Sequence, residues 1–206
     1  MVRTPFIDGD FDFWPMYDRG DWEPETKQIL ERFLHPGDLF VDIGAWIGPV
    51  SLWARDLGAD VIAYEPDPVA YVQLVTNCPD ILAINQAVAA HDGHRFLTNP
   101  RFYGDSQTRF GDDGLPALAI SPRTLWDSLP RTPALIKLDV EGAETEILPT
   151  LAPLCQRHHV PLYLSWHTPW WQHVPTELER AGWFEGMMCE PVRGDGWNGF
   201  TEMLAR

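Results

Sequence analysis

What this sequence has little of narrows it first. Only 15 Lys and Arg stand against 30 Asp and Glu, a formal net charge of −15. A chain this acidic repels a phosphate backbone, and no basic run offsets the average, so nucleic acid is not an expected partner. The three cysteines, Cys78, Cys155 and Cys189, are odd in number and widely spaced, with no CxxC pair and no zinc spacing. They are expected to be free thiols in a reducing compartment. No window approaches the roughly 18 apolar residues of a membrane span, and MVRTPFIDGD lacks the apolar stretch of a secretory leader. A membrane is therefore not an expected partner, and a cytoplasmic setting is.

What is there suits one domain. The 206 residues are 45% apolar, enough for a sizeable core, and the 19 prolines are scattered as loop and helix-start punctuation. Residues 1–21 are rich in Asp and aromatics without clear periodicity and read, with a helix from Pro24 to about Leu34, as an arm covering a site within 1–35. LFVDIG then reads as a strand, PVSLWARDLG as a helix, DVIAYE as a strand, a helix follows to about Cys78, and ILAINQAVA closes this half as a strand. Strand and helix alternating through short links predict a parallel sheet covered on both faces. Residues 91–120 break the alternation and read as a hairpin or flap. ALIKLDV and PLYLSW are the next strands, each followed by a helix, and the chain ends in two strands joined by a Gly/Asp turn. The prediction is an α/β, Rossmann-like domain: a mostly parallel seven-stranded sheet with an antiparallel last strand and helices on both faces.

Four motifs sit at strand ends, where open α/β sheets bind ligands. VDIGAWIG spans Val41 to Gly48. The GxGxxG of nicotinamide sites does not stand at this turn; the pattern is DxGxxxG, with Gly44 and Gly48 freeing the backbone for a bulky ligand. A carboxylate at Asp42 would repel a pyrophosphate and suit the cationic aminoacyl part of S-adenosylmethionine, directly or through loop shape. AYEPD places Glu65 at the next strand end, 23 residues after Asp42, where a ribose diol would be bound. NQAV offers Gln86 to an adenine. LIKLDVEGAE delivers Asp139 and Glu141 to the same edge, as the floor of a reaction pocket or as helix-start acids.

Through these motifs the sequence resembles the FkbM family of methyltransferases. The resemblance rests on DLFVDIGAWIGPVSLWA, VIAYEPDP, NQAVAAHDG, YGDSQ and LIKLDVEGAETEIL, and runs from about Trp22 to His167. It implies the class I methyltransferase fold, S-adenosylmethionine as donor, and a hydroxyl acceptor on a sugar, glycan or natural product. It also implies cofactor contacts from Asp42, Gly44, Ala45, Gly48 and Glu65, with Trp46 and Pro66 beside them, and WEPET around Trp22 and Glu23 closing over the methionine end. Two departures stand out. Trp46 occupies a position where the family commonly has Asn, and the fifth strand offers Ser165 and Trp166 in place of its usual acid.

For chemistry, a neutral alcohol gains from a general base. His167, after the fifth strand, is the expected base, oriented by Asp139 or Glu141. A rival reading has the same three residues holding a divalent metal; no metal is the favoured expectation. Tyr103, Asp105 and Ser106 in the flap, and Trp166, Trp170 and Trp171 around His167, are candidates for acceptor contacts. The alternatives in function are a non-catalytic S-adenosylmethionine-binding module and an amino-group methyltransferase. The DNA-base kind of the latter would carry [DN]PP[YF] where this chain reads LDVEG.

Overall fold

The computed structural model describes residues 3–8, 11–171, 174–193 and 200–206. Its main sheet has seven strands: β1 (Leu39–Ile43), β2 (Asp60–Tyr64), β3 (Leu82–Ile84), β4 (Leu135–Leu138), β5 (Leu162–His167), β6 (Cys189–Arg193) and β7 (Phe200–Ala205). Their spatial order is β6-β7-β5-β4-β1-β2-β3. The first five in sequence are parallel, β7 runs antiparallel to β5, and β6 antiparallel to β7. This is the predicted sheet. The expected Gly/Asp turn between β6 and β7 lies outside the described residues.

Every residue of β1 and of β4 is buried, as expected for parallel strands covered on both faces. Alternate side chains feed two cores. Phe40 joins Leu30 and Ala54 on one face, while Leu39, Val41 and Ile43 join Ile147 and Leu151 on the other. The first face is covered by α2 (Pro24–Phe33), α3 (Pro49–Asp56) and α4 (Pro68–Asn77). The second is covered by α5 (Pro122–Ser128) and α6 (Glu144–His158). Prolines open α2, α3, α4 and α5, where the missing N–H has no helical partner to lose. Cys78, Cys155 and Cys189 are free.

Two segments depart from the reading of the sequence. ILAINQAVA is not one strand: β3 ends at Ile84, and Ala87–Val88 pair instead with Leu115–Ile120. The break is made by Asn85, whose Nδ2 donates to the carbonyls of Glu65 (2.8 Å) and Pro66 (3.1 Å) and caps the strand end. The stretch read as a flap is more ordered than a hairpin. Gly93–Thr98, Arg109–Gly111 and Leu115–Ile120 form a second, four-stranded sheet with Ala87–Val88. Before the main sheet, α1 (Phe13–Arg19) carries Phe13, Trp14 and Tyr17 into the first core.

Candidate functional site

A cavity of about 390 Å³ opens at the carboxyl ends of β1, β2, β4 and β5, where the strand order reverses. The arm forms one wall through Phe6, Phe13 and Trp22, and the second sheet with its loop forms the opposite one through Ser106, Thr108 and Phe110.

The loop after β1 is tied to the end of β2. The N–H groups of Gly44 and Ala45 both donate to the Tyr64 carbonyl, at 2.9 and 3.1 Å. The next N–H, of Trp46, donates to Glu65 Oε2 at 2.8 Å, and Asp67 N donates to Glu65 Oε1 at 2.8 Å. Each carboxylate oxygen thus keeps one lone pair for another donor. Burial pushes the Glu65 carboxyl up to about 8, against these hydrogen bonds. Gln86, half-buried, and Pro66 complete this end.

The two glycines answer to the protein itself. Gly44 has φ +83, and a Cβ there would lie 1.7 Å from the Asp139 carbonyl oxygen; at Gly48, φ +92, it would lie 2.7 Å from Cys78 Sγ and Leu74 Cδ1. Gly44 therefore lets β1 and β4 converge beneath the cavity, while Gly48 lets α3 start against α4. Trp46, at φ 50, both packs and bridges. Its ring meets Phe6 and Phe13 edge-on at 4.8 and 4.9 Å, and its Nε1 donates to the Gly104 carbonyl at 2.8 Å.

The far end of the cavity is dense in carboxylates. Lys137 Nζ lies 2.6 Å from Asp139 Oδ2. Burial lowers the Lys137 ammonium, but Asp139, Asp42 and Glu23 outweigh it and hold the group charged. Glu23, with its Oε2 accepting from Thr26 Oγ1 at 2.9 Å, is pushed up to about 7 by burial. Thr26 Oγ1 also meets Tyr163 Oη at 2.8 Å, and that phenol donates to Glu202 Oε2 at 2.5 Å. Asp42 stands behind the loop, wholly buried, with Oδ2 accepting from Ser51 Oγ at 2.7 Å.

His167 is brought to Asp139 and Glu141, as the sequence reading expected. Its Nε2 is 3.5 Å from Asp139 Oδ1 and 3.5 Å from Glu141 Oε2, while Nδ1 is 2.7 Å from Glu144 Oε1. Burial lowers the imidazole, but the hydrogen bond and charge of Glu144, with Asp139 and Glu141, outweigh it and raise His167 to about 9. This shift favours the protonated ring and so opposes a role as a general base. Burial pushes Asp139 up, but Lys137, His167 and the Ser165 hydrogen bond pull it below its usual value. Glu141 is raised to about 8 by burial.

Ala45, Trp46, Gly44, Glu65, Pro66, Gln86, Ser106, Asp139, Glu141 and His167 all border the cavity. Asp42 and Gly48 do not; they shape the loop from behind. Tyr103 does not either, since its hydroxyl is spent on the Leu97 carbonyl at 3.1 Å. Trp166 touches the wall, but its ring is wholly buried and packs edge-on to Trp171 at 5.2 Å. Trp170 instead stacks on His167 (5.5 Å, 2°) and lines a neighbouring cavity of about 260 Å³ with Arg109 and Glu141. Sequence reasoning missed Lys137 and Glu144. A lysine inside the apolar strand LIKL was a signal; the spacing of Glu144 from Glu141 gave none without knowing where β5 lies.

Solved structures of several methyltransferases share this architecture at low identity. The crystal structure of the methyltransferase FkbM from Methylobacillus flagellatus KT matches with a TM-score of 0.56 at 16% identity, over 87% of this chain and 50% of that one. Magnesium protoporphyrin IX methyltransferase from Synechocystis PCC 6803, solved with bound SAM, matches with a TM-score of 0.54 at 13% identity, over 97% and 86%. This is the class I methyltransferase fold. In sequence, the chain is 29% identical over 171 residues to the tRNA (guanine(37)-N(1))-methyltransferase of Mus musculus, covering 75% of this chain. It spans only 31% of that relative's length. No family model matches the chain. Among the described residues no helix is long and apolar enough to cross a membrane.

Proposed function

We propose that this chain is an S-adenosylmethionine-dependent methyltransferase whose acceptor is a hydroxyl of a sugar or natural-product small molecule. The observation that carries the reading is the two-ended cavity. At one end Glu65 keeps a lone pair on each oxygen, fitted to a vicinal diol such as a ribose. At the other, the carboxyl groups of Glu23, Asp139, Glu141 and Glu202 outnumber Lys137 and His167, and a cationic aminoacyl sulfonium would draw the raised Glu23 and Glu141 into their ionised forms. S-adenosylmethionine, when bound, supplies an electrophilic methyl group.

The chain's own residues would do the rest. Glu65 would accept from the ribose hydroxyls, Gln86 would lie beside the base, and Glu23 would face the ammonium. Asp139, Glu141 and His167 would hold the acceptor hydroxyl in line, and Glu141 would receive its proton. Positioning alone reaches effective molarities of about 10⁵–10⁸ M. Glu141, at about 8, is better matched to proton uptake near neutral pH than His167 at about 9.

A tRNA acceptor is the second reading, favoured by the 29% identity to the mouse enzyme and opposed by the net charge of −15. The first test is calorimetric titration with S-adenosylhomocysteine, with NAD and Glu65→Ala as controls. Binding in the micromolar range, lost in the variant and absent for NAD, is expected; no binding overturns the reading. Labelled-methyl transfer is then measured to a panel of sugars and natural-product alcohols and to tRNA, and transfer to tRNA alone replaces the acceptor assignment.

A further inference from the structure

Asp139, Glu141 and His167 each bring one donor atom to within 4.8 Å of the others. The hold on His167 decides what it offers. With Glu144 Oε1 2.7 Å from Nδ1, that nitrogen carries a proton toward the carboxylate, and Nε2 is the atom turned to Asp139 and Glu141. It lies 3.5 Å from an oxygen of each. A charge-assisted N–H···O contact is shorter, about 2.7–2.9 Å. Two donors on one ion are spaced differently. With metal–nitrogen and metal–oxygen distances of about 2.0–2.2 Å, neighbours at tetrahedral angles stand about 3.4 Å apart.

A second observation is independent of that spacing. Glu141 Oε2 is buried and accepts no hydrogen bond from any described residue. An unsatisfied buried carboxylate oxygen is costly, and a cation between it and His167 Nε2 would remove that cost. Lys137 opposes an ion there, but its ammonium is engaged on Asp139 Oδ2, which leaves Oδ1 on the His167 side. The carboxyl groups of Glu141, Glu144 and Glu23 also outnumber it, and a cation would draw the raised Glu141 into its ionised form.

We infer that Asp139 Oδ1, Glu141 Oε2 and His167 Nε2 form a three-donor site for a divalent cation, open toward the cavity. Two carboxylate oxygens and one imidazole at this spacing suit Zn²⁺ or Mn²⁺ rather than a thiolate-seeking ion. Glu144 is the second partner that fixes the imidazole's orientation, as carboxylates do behind metal-bound histidines. The purpose of the ion rests on the methyltransferase reading. The acceptor oxygen would take an open coordination position, and the ion's charge would ease loss of its proton to water in the open cavity, so that Glu141 and His167 would act as ligands rather than as free bases.

Mn²⁺ is the probe, because unbound ion is counted directly by its paramagnetic resonance signal. Chelator-stripped protein is expected to take up one Mn²⁺ per chain. Glu144→Gln is expected to weaken uptake about 10–100-fold, and Glu141→Gln and His167→Gln to remove it, with thermal melts of each metal-free variant reporting folding. In the wild-type protein, bound Mn²⁺ is expected to broaden the His167 ring resonances first, so the site is located even if a variant fails to fold. No saturable uptake, uptake unchanged in folded Glu141→Gln and His167→Gln, or broadening centred elsewhere overturns the site. A parallel titration with S-adenosylhomocysteine separates the two ideas. Cofactor bound without Mn²⁺ uptake sinks the ion site alone; Mn²⁺ uptake without cofactor binding supports the site and sinks the methyltransferase reading.

Discussion

Glu144 Oε1 holds Nδ1 of His167 at 2.7 Å, from the first residue of α6, where no part of the glutamate reaches solvent. The same carboxylate accepts from Trp171 Nε1 at 3.0 Å and from Gly142 N at 3.1 Å. One side chain thus ties the β4–α6 turn to the end of β5, and with it sets which imidazole nitrogen faces the cavity.

Glu144→Ala is expected to cost at least about 2 kcal/mol, because two buried donors and the half-buried Trp171 Nε1 lose their acceptor and each unmade buried bond costs about 1–3 kcal/mol. Glu144→Gln keeps one carbonyl oxygen and should cost clearly less. Urea unfolding of both variants measures the order; an equal loss in the two would mean that side-chain volume, not hydrogen bonding, is what this position supplies.

Glu65 gives a pH dependence with a definite sign. Burial raises its carboxyl from 4.5 to about 8, so the folded state binds this proton more tightly than the unfolded chain. Its contribution to stability is complete below pH 4.5 and is lost as pH rises through about 8. Glu65→Gln should remove that slope from urea melts taken across this range. Hydroxyl donors favour the ionised carboxylate, so binding of S-adenosylhomocysteine near neutral pH should release protons and tighten as pH rises toward 8. Calorimetry in buffers of different ionisation heat reads this; proton uptake instead of release would contradict it.

Gly44 and Gly48 should respond differently to alanine. At Gly44 the added Cβ meets backbone, the Asp139 carbonyl oxygen at 1.7 Å, while at Gly48 it meets side-chain atoms at 2.7 Å. Both positions are left-handed, costing about 1–2 kcal/mol for any L side chain. A backbone clash at Gly44 adds overpacking of about 1–3 kcal/mol. Gly44→Ala is therefore the more destabilising by denaturant melting; the reverse order would show that β1 and β4 can part more easily than α3 and α4.

Asp67 pins the loop over the cavity. Its Oδ1 accepts from Val69 N at 2.8 Å at the start of α4, and its Oδ2 accepts from Gly104 N and Thr108 Oγ1, both at 2.7 Å. Asp67→Ala loses a helix cap worth about 0.5–2 kcal/mol and leaves Gly104 N without its acceptor. Amide hydrogen exchange at Gly104 should accelerate, and cleavage by trypsin after Arg101 should appear sooner than in the wild-type protein. Unchanged exchange at Gly104 would place the anchor elsewhere, in the Trp46 Nε1 contact to the same residue.

Much of the fold was legible because it is locally encoded. Buried parallel strands are mostly apolar, so LFVDI, VIAY and LIKL announce themselves despite Asp42 and Lys137, and Pro or Gly at the helix ends marks where each crossover begins and stops. ILAINQAVA misled for the same reason: a run of strand-favouring residues does not record that Asn85 turns back to the Glu65 and Pro66 carbonyls and sends Ala87–Val88 into a second sheet.

The sequence by itself determined the sheet and the acids at its strand ends, since those depend on spacing within consecutive strand–turn–helix units. Only the tertiary structure decided which partners these groups meet. The clash that makes Gly44 necessary comes from Asp139, 95 positions along the chain, and the partner that fixes His167 is Glu144, across the β4–β5 crossover. The charge state of each buried group follows from those meetings. Desolvation and neighbouring charge act through space, over a few ångströms, between residues whose separation in sequence says nothing about their distance.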